Sequence, residues 1–445
     1  MGRKRKSGRL NVALNGRLVG RLVRAADGAT RFDYEKEWLD WDYAIPVSLS
    51  MPLIDRPFSG AVVRAVFDNL LPDDERIRAR IASRVGAEGT DAFSLLAMLG
   101  RDCVGALQFL PDDSDPEPPK APEGEALTID QVADRIRSLA TAPLGMRGGE
   151  DAFRISLAGA QDKTALLFHE GKWMLPTGTT PTTHILKPQI GRVPSFHGEV
   201  DMTTSVQNEH VCMSLCKAFG LDVADTEILV LDEQLLALSV KRFDRQIDRR
   251  GRLLRLPQED LCQAQSVPPT LKYEVDGGPG IADCLELLKS SDEPEKDRKA
   301  FMKAQLVFWL IGATDGHAKN FSIALKPQGR FSLTPLYDIL STQWQYDQRQ
   351  IPRNAWRMAM SFGSRRRYKL TEILPRHIEQ TTTTADYPTN ALHETMRDVL
   401  AAFPAADATL KKFTSSETIP IEMLEALESG MRSRAADIQA CLNNS

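Results

Sequence analysis

The chain has 445 residues and a formal net charge of −4 at pH 7, with 42% hydrophobic and 26% charged residues. This length predicts two to three domains, and the composition is that of a soluble globular protein. The negative net charge argues against a protein that binds nucleic acid over its whole surface. The longest apolar run, 306–313, is shorter than the roughly 20 residues of a membrane helix, and no apolar segment follows the basic N-terminus. We therefore expect a cytoplasmic protein without membrane association.

The first 112 residues have the pattern of a small α+β N-terminal subdomain. Partly alternating apolar residues at 10–14 and 18–23 flank Asn15-Gly16, which is a strong signal for a β-hairpin turn. The acidic, proline-rich stretch 113–126 predicts a linker after this subdomain. Helical patterns lie at 60–71, 74–85 and 91–99, and a strand pattern lies at 104–110.

A β-rich nucleotide-binding lobe is predicted over 127–257. It opens with a capping-box pair, Thr128 and Gln131, before an amphipathic helix. Cys212 and Cys216 lie four residues apart on a later helix, which favours two small core residues over a metal or disulfide site. Strand patterns lie at 153–157, 164–168, 173–175, 183–186, 227–231, 236–240 and 253–256, and a helix pattern covers 205–219.

The remaining residues, 258–445, are predicted to form a helical catalytic lobe with strands only at 320–325 and 331–334. The glycine run 277–280 lacks a strand–turn–helix context, so we interpret it as a plain loop. The basic run 365–369 is either a local basic patch or a solvated loop. A β-rich lobe followed by a helical lobe is the order of a bilobal kinase, in which the nucleotide lies between the lobes.

The strongest chemical signal is the loop 312–320, which follows a dense apolar helix pattern. Asp315 is followed five residues later by Asn320, and Asp338 comes later between apolar residues. Protein kinases use an Asp that takes up the proton of the attacking hydroxyl, an Asn that binds a metal, and a later Asp that binds the metals bridging the phosphates. His317 and Lys319 are candidates for neutralising transition-state charge, and a purely structural role for His317 stays open.

A loop of small residues, 156–164, is a candidate phosphate-binding segment. Small side chains allow backbone N–H groups to approach phosphate oxygens, and a lysine adds a charged donor. The segment lacks the Walker A spacing, and an ordinary tight turn is the alternative. Its candidate ATP-binding residues are Ala158, Gly159, Ala160, Gln161 and Lys163.

Further candidates for contacts with ATP follow along the chain. Lys187 ends an apolar strand pattern, as the phosphate-binding strand lysine of kinases does, unless it is only an exposed residue at a strand end. Glu209, on the next helix, either orients Lys187 or is solvated. Backbone groups of Lys241 and Phe243, where a strand leaves toward a hinge, are expected to bind the adenine edge. The Gln258 carboxamide is a candidate for the base or ribose.

These segments together resemble the HipA family, the kinase toxins of bacterial type II toxin–antitoxin modules. The resemblance extends over nearly the whole chain, and it includes two segments of the first subdomain. The residues that carry it lie at 67–73, 100–107, 156–164, 181–187, 255–263, 276–281, 312–322 and 336–339.

The resemblance implies an α+β, bilobal protein-kinase-like fold of the phosphatidylinositol-kinase-like type. It implies an ATP- and Mg²⁺-dependent serine/threonine protein kinase that causes growth arrest and persistence. It also implies two partners: a small helix-turn-helix antitoxin, HipB in the family, and operator DNA, which toxin and antitoxin repress together. The family's protein substrate is a translation component, glutamyl-tRNA synthetase.

By position, the family's functional residues match residues selected above. Ser156 matches an autophosphorylated serine, and Lys187 matches the lysine that binds the ATP phosphates. Asp315 matches the catalytic Asp, and Asn320 and Asp338 match the metal ligands. At the hinge, Lys241 stands where the family has Glu.

Two other functions are compatible with parts of the pattern. A small-molecule phosphotransferase of the aminoglycoside-kinase type shares the Asp/Asn/Asp set, but an acid-rich substrate pocket would be expected there, and the sequence indicates none. A non-catalytic corepressor that binds an antitoxin and DNA would not need an intact set of Lys187, Asp315, Asn320 and Asp338.

Overall fold

The computed structural model describes residues 7–139, 144, 155–159, 161–195 and 198–444. Contacts divide the chain into two compact units. Unit 1 comprises Met1–Pro188, Leu229–Thr270 and Ile323–Phe331, and unit 2 comprises Gln189–Ile228, Leu271–Ser322 and Ser332–Ser445. Among the described residues, none of the helices combines the length and apolar composition that crossing a membrane would require.

Both units contain helices and strands, which confirms the α+β class. The strands are β1 (Gly8–Leu14), β2 (Arg17–Arg24), β3 (Thr30–Tyr34), β4 (Phe58–Ser59), β5 (Leu107–Pro111), β6 (Gly124–Ala126), β7 (Thr164–His169), β8 (Lys172–Pro176), β9 (His184–Pro188), β10 (Gly191–Ser195), β11 (Gly198–Met202), β12 (Thr226–Val230), β13 (Leu236–Lys241), β14 (Arg245–Ile247), β15 (Leu253–Arg255), β16 (Gln258–Asp260), β17 (Ser322–Leu325), β18 (Phe331–Leu333), β19 (Arg357–Phe362) and β20 (Arg367–Lys369). The helices are α1 (Lys36–Leu39), α2 (Ala61–Asp68), α3 (Glu75–Val85), α4 (Ala92–Leu99), α5 (Ile129–Ser138), α6 (Ser205–Ala218), α7 (Leu261–Ala264), α8 (Ile281–Leu288), α9 (Pro294–Ile311), α10 (Gln343–Asp347), α11 (Pro375–Thr384), α12 (Thr389–Phe413) and α13 (Ile421–Asn443).

An antiparallel sheet in the order β4-β3-β2-β1-β5 organises the first part of unit 1. The predicted hairpin is confirmed, because β1 pairs with β2 around Asn15 and Gly16, whose φ angles are 45° and 82°. Asn and Gly adopt such angles at low cost, and the resulting turn matches the twist of the strands. The buried Phe67 ring of α2 packs edge-on against Phe32 and Phe109, with centroids 5.9 and 5.4 Å away.

A second sheet, in the order β12-β13-β9-β7-β8-β6, holds several candidate ATP-binding residues. Strand β9 lies between β13 and β7, and its Lys187 pairs with Leu238 of β13. The apolar face of α5 packs on this sheet. The predicted capping box of α5 is confirmed, because the Thr128 side chain accepts from Gln131 N at 3.2 Å and the Gln131 side chain accepts from Thr128 N at 2.8 Å.

Helix α9 is the central element of unit 2. Its apolar residues are almost all buried, and α6, α8, α12 and α13 pack around it. The helix begins at Pro294, whose missing N–H costs nothing in the first turn, and is capped by Gly312 at a φ of 70°. A left-handed residue at this position turns the chain sharply out of the helix. The loop 312–320 therefore starts from a rigid, buried support.

The strand prediction for the C-terminal part was wrong in two places. Gln258–Asp260 forms β16, and β19 pairs with β20 in a hairpin. The β10–β11 hairpin was also missed. Strand β19 is almost entirely buried, and its Met and Ala residues have no strong strand preference, so it shows neither alternation nor β-branched enrichment. Cys212 and Cys216 are fully buried, which confirms their assignment to the core.

Candidate active site

The Asp315–Asn320 segment of unit 2 is closed by hydrogen bonds to a single carbonyl oxygen. Asp315 O accepts from His317 N at 2.8 Å and from the Asn320 side-chain Nδ2 at 2.9 Å. Asn320 N in turn donates to His317 O at 2.9 Å. The spacing of the two residues therefore makes a compact loop in which Asp315 is exposed and Asn320 is buried. Because Nδ2 is used as a donor, Asn320 Oδ1 is the oxygen of this amide that suits a metal ion.

Aromatic packing against α9 anchors the end of this loop. Phe321, which follows Asn320, is fully buried, and its ring centroid lies 4.8 Å from Phe301 and 5.8 Å from Phe308 of α9. A Cβ at Gly316 would lie 2.6 Å from the Phe308 ring, so only glycine fits there without a shift. The loop conformation thus follows from packing as well as from its hydrogen bonds.

Asp338 is attached to the same loop through its neighbour. The Tyr337 hydroxyl donates to Lys319 O at 3.0 Å and lies 2.6 Å from Ser322 Oγ. Asp338 itself has a φ of 61°, which is unusual for a residue with a side chain and is found at functional sites. The Tyr337 contacts attach the backbone beside Asp338 to the loop that carries Asn320.

The donor set of Asn320 and Asp338 suits Mg²⁺. This ion keeps several waters and binds one or two protein oxygens together with substrate phosphates. Within the described residues, no three His, Cys, Asp or Glu side chains form a group that could enclose a metal ion. The chemistry of the pair therefore fits an ion that is shared with a nucleotide.

Tyr273 contacts the exposed acid directly, and His317 and Lys319 are close to it in the loop sequence. His317 and Lys319 are both buried. The Tyr273 hydroxyl donates to Asp315 Oδ1 at 2.7 Å, and its ring packs edge-on against His317 with centroids 4.9 Å apart. Tyr273 was not predicted. It lies 42 residues before Asp315, and no spacing in the sequence links the two.

In unit 1, the described residues of the candidate phosphate-binding segment are buried or half-buried. Ser156 is fully buried, and its hydroxyl donates to Leu70 O at 2.7 Å. Gly159 has a φ of 106° and bridges to Pro72. Ala160, a candidate ATP contact, lies outside the described residues, as do residues 153 and 154 of the predicted strand 153–157.

The basic and amide side chains of this segment have defined positions. Lys163 Nζ donates to Ala158 O at 2.7 Å, and Gln161 Nε2 donates to Pro188 O at 2.8 Å. The second bond links the segment to the end of β9. Lys187 is only 6% exposed, so the alternative of an exposed strand-end lysine is wrong. Glu209 in unit 2 is 2% exposed, so a solvated helix glutamate is also wrong.

A cluster of buried charged side chains includes residues of the segment that follows β13. Arg242 and Arg245 each bind both Asp102 and Asp244, with N–O distances between 2.8 and 3.5 Å. Arg255 also binds Asp102, at 3.3 Å. Burial alone would raise the pKa of Asp102, but the three guanidinium charges outweigh it and lower the pKa below its ordinary value. Removal of one partner of such a cluster would leave a buried charge unpaired, which is strongly destabilising.

The predicted hinge residues Lys241 and Phe243 are the sequence neighbours of Arg242 in this cluster. Lys241 is exposed and Phe243 half-buried, whereas Asp244 is buried. Gln258 Nε2 donates to Asp244 Oδ2 at 3.2 Å. Its Oε1 atom is buried without a hydrogen-bond partner among the described residues. An unpaired buried acceptor fits a site that receives an N–H group of a ligand such as a nucleobase.

The chain matches two sequence models of one family. The HipA-like C-terminal domain matches residues 155–406, which is more than half of the chain, and the HipA N-terminal domain matches residues 10–110. The first match includes every candidate site residue named above from Ser156 to Asp338.

Individual relatives agree with this assignment. A Sinorhizobium fredii protein, Y4mE, whose name describes it as a kinase, is 38% identical over 360 residues, covering 80% of this chain and 81% of the relative. The serine/threonine-protein kinase toxin HipA of Shewanella oneidensis is 29% identical over 353 residues, covering 76% of each chain.

A solved structure extends the agreement to the fold. The HipA chain of the Shewanella oneidensis complex of HipA, HipB and operator DNA has a TM-score of 0.76, with 22% identity and 97% of each chain covered. This confirms the kinase-like fold and the resemblance identified from the sequence. The chain therefore belongs to the HipA family of kinases.

Proposed function

We propose that the chain is an ATP-dependent serine/threonine protein kinase that acts as the toxin of a HipBA-type toxin–antitoxin module. The observation that carries this proposal is the hydrogen-bonded loop on which Asp315 is exposed, Asn320 offers an amide oxygen, and Tyr337 fixes the neighbouring Asp338. An exposed acid next to two oxygen ligands is the arrangement that phosphoryl transfer to a hydroxyl requires.

The residues of unit 1 serve nucleotide binding in this proposal. Lys187 and Lys163 supply positive charge for the phosphates, and the backbone of Gly159 approaches them without a side chain in the way. Backbone groups at Lys241 and Phe243 and the Gln258 amide bind the base. ATP supplies the phosphoryl group, and these residues hold it in place. Ala158, Ala160 and Gln161 complete the segment.

The residues of unit 2 serve metal binding and the transfer itself. Asn320 and Asp338 hold Mg²⁺, which neutralises phosphate charge. Asp315 accepts the proton of the acceptor hydroxyl. His317 and Lys319 help to neutralise the charge of the transition state. Most of the rate acceleration then comes from positioning and electrostatic stabilisation.

A solved relative supports the proposed partners, and the family resemblance of the motifs supports the proposed substrate. HipA of Shewanella oneidensis was solved with HipB and operator DNA, which supports a HipB-like helix-turn-helix antitoxin and operator DNA as partners of this chain. We propose glutamyl-tRNA synthetase as the protein substrate because the sequence motifs resemble those of the family. Ser156 is proposed as the site of autophosphorylation.

Expression of the chain in bacteria tests the toxin proposal. Induction of the wild-type chain should halt growth, and coexpression of the antitoxin encoded beside it should restore growth. Asp315→Ala should remove the toxicity, because the substitution removes the proton acceptor while leaving the buried loop intact. If the Asp315→Ala chain were equally toxic, growth arrest would come from binding alone, and the corepressor function would replace the kinase toxin.

Purified proteins test the substrate proposal. The wild-type chain, labelled ATP and glutamyl-tRNA synthetase, with and without tRNA, should give a labelled synthetase, and Asp338→Ala should label it about a thousandfold more slowly. If Ser156 became labelled while the synthetase did not, the chain would be a kinase with another substrate.

A further inference from the structure

A tyrosine hydroxyl lies directly against the acid to which the proposed function assigns catalysis. Tyr273 Oη donates to Asp315 Oδ1 at 2.7 Å, and the Tyr273 ring packs edge-on against His317. All three residues belong to unit 2. A phenol hydroxyl can donate and a carboxyl oxygen can accept, so Tyr273 is the donor of this bond and Asp315 the acceptor.

The acceptor hydroxyl of a substrate must reach the same carboxylate. Tyr273 therefore either blocks the acid and has to leave, or holds it while the acceptor binds. The rigidity of the Tyr273 segment separates these two roles. A blocking residue needs a segment that can swing away, whereas a holding residue needs a fixed one.

Two sets of contacts fix the Tyr273 segment. The carboxylate of the next residue, Glu274, accepts from Ser361 N at 2.6 Å and from Ser361 Oγ at 2.8 Å, which ties the segment to β19. Tyr273 O accepts from Gly278 N at 2.9 Å. A Cβ at Gly278 would lie 2.0 Å from Leu271 O, so the loop folds tightly on itself. These contacts favour a residue that stays in place.

Strand β19 also binds the catalytic loop directly. Ala359 N donates to Thr314 O at 2.9 Å, and Thr314 precedes Asp315. The Tyr273 segment and the Asp315 loop are thus both attached to one strand, through Ser361 and Ala359. This shared attachment keeps the tyrosine hydroxyl within hydrogen-bonding distance of the carboxylate.

We infer that Tyr273 is a positioning residue for Asp315, on the basis of the proposed kinase function. Its hydroxyl occupies Oδ1 and so orients Oδ2 of the otherwise exposed carboxylate toward the acceptor. A carboxylate accepts at both oxygens, so the two hydroxyls do not compete. In the transfer, the acceptor oxygen bonds to the γ-phosphorus as the bond to ADP breaks, and the acceptor proton passes to Asp315 Oδ2.

Tyr273→Phe tests this role, because it keeps the ring against His317 and removes only the hydroxyl. We expect kcat to fall about tenfold, equivalent to about 1.4 kcal/mol of transition-state stabilisation. The KM for ATP and the midpoint of thermal unfolding should stay at the wild-type values. The matched control is Tyr346→Phe, a half-buried tyrosine of unit 2 whose ring stacks on Trp356 at 3.9 Å, and it should leave kcat unchanged.

A double variant tests whether Tyr273 acts through Asp315. In Asp315→Ala the carboxylate is absent, so adding Tyr273→Phe should lower the residual rate no further. A second tenfold loss in the double variant would overturn the inference. An unchanged or increased kcat in Tyr273→Phe would overturn it as well, and an increase would identify a blocking residue.

The same experiment separates this inference from the function on which it rests. A wild-type chain that transfers phosphate, with a strongly impaired Asp315→Ala and a fully active Tyr273→Phe, would overturn the positioning role alone. A wild-type chain that transfers no phosphate to any hydroxyl would overturn the proposed function and the positioning role together.

Discussion

Phosphorylation of Ser156 should displace the segment 155–159 from its position inside unit 1. The side chain is fully buried, and its hydroxyl donates to Leu70 O at 2.7 Å. A phosphate adds about −1.5 to −2 charges at neutral pH. Burial of such a charge costs far more than the roughly 1 kcal/mol that one hydrogen bond contributes. The modified residue therefore cannot remain where the hydroxyl lies.

Hydrogen bonds and buried apolar side chains set the cost of opening this segment. Besides the Ser156 hydroxyl, Ser156 N donates to Asp102 O at 2.9 Å, Asp73 N donates to Gly159 O at 3.1 Å, and Lys163 Nζ donates to Ala158 O at 2.7 Å. At about 1 kcal/mol each, the loss of these bonds costs about 4 kcal/mol, and exposure of the buried Ile155 and Leu157 side chains adds roughly 1.5–3 kcal/mol each. The open form is then populated at roughly 1% or less before modification. Autophosphorylation should be slow for this reason, and the phosphorylated chain should stay open.

The expected consequence is a loss of ATP affinity, because opening moves Gly159 away from the position proposed for it beside the phosphates. Calorimetry should show weaker ATP binding by the phosphorylated chain than by Ser156→Ala, which cannot be modified. Hydrogen exchange at the Asp73 amide should accelerate in the phosphorylated chain alone. Equal ATP affinity in both forms, with an equally protected Asp73 amide, would refute this reasoning.

Three further substitutions test other parts of the structure. Gly159→Ala places a side chain at a φ of 106° and a Cβ 2.6 Å from Lys163 Nζ. Because this strains the segment by roughly 1–3 kcal/mol, calorimetry should show ATP binding weakened about tenfold. Tyr337→Phe removes the hydroxyl bound to the Asn320 loop, so half-maximal activity should need more Mg²⁺, and an unchanged Mg²⁺ titration would contradict this. Burial raises the pKa of Glu259 from 4.5 to about 8. Because the folded pKa lies above the unfolded one, this carboxyl makes stability fall by about 1.4 kcal/mol per pH unit between those values. For Glu259→Gln, the free energy of unfolding measured in urea at pH 5, 7 and 9 should lack that fall. Parallel pH dependences for the wild-type chain and the variant would contradict the burial of a neutral carboxyl.

Local patterns accounted for the parts of the structure that the sequence predicted. The Asn15-Gly16 turn and the capping box of α5 depend on residues at most three positions apart, and both are confirmed. The pairing of Asp315 with Asn320 is also local, since the loop closes on its own backbone. Signals of this kind survive in a single sequence because backbone geometry alone connects the residues.

Long-range contacts account for what was missed. Tyr273 binds Asp315, 42 residues away, and the neighbouring Glu274 anchors this segment to Ser361, 87 residues away. The sequence around Arg242 did not predict its buried hydrogen bond to Asp102, 140 residues away. Such pairs depend on how separate elements pack, and no spacing within either segment encodes the partner.

Transfer of labelled phosphate from ATP by the purified chain is the most direct test of the kinase assignment and its site. With Mg²⁺ present, the wild-type chain should label a serine or threonine of a protein, its own Ser156 included. Asp315→Ala and Asp338→Ala should each reduce the rate by about a thousandfold, by analogy with the loss of other electrostatic stabilisers, while unfolding at the wild-type temperature. Near-wild-type transfer by either variant would contradict the role given to that acid, and no transfer by the wild-type chain would contradict the account as a whole.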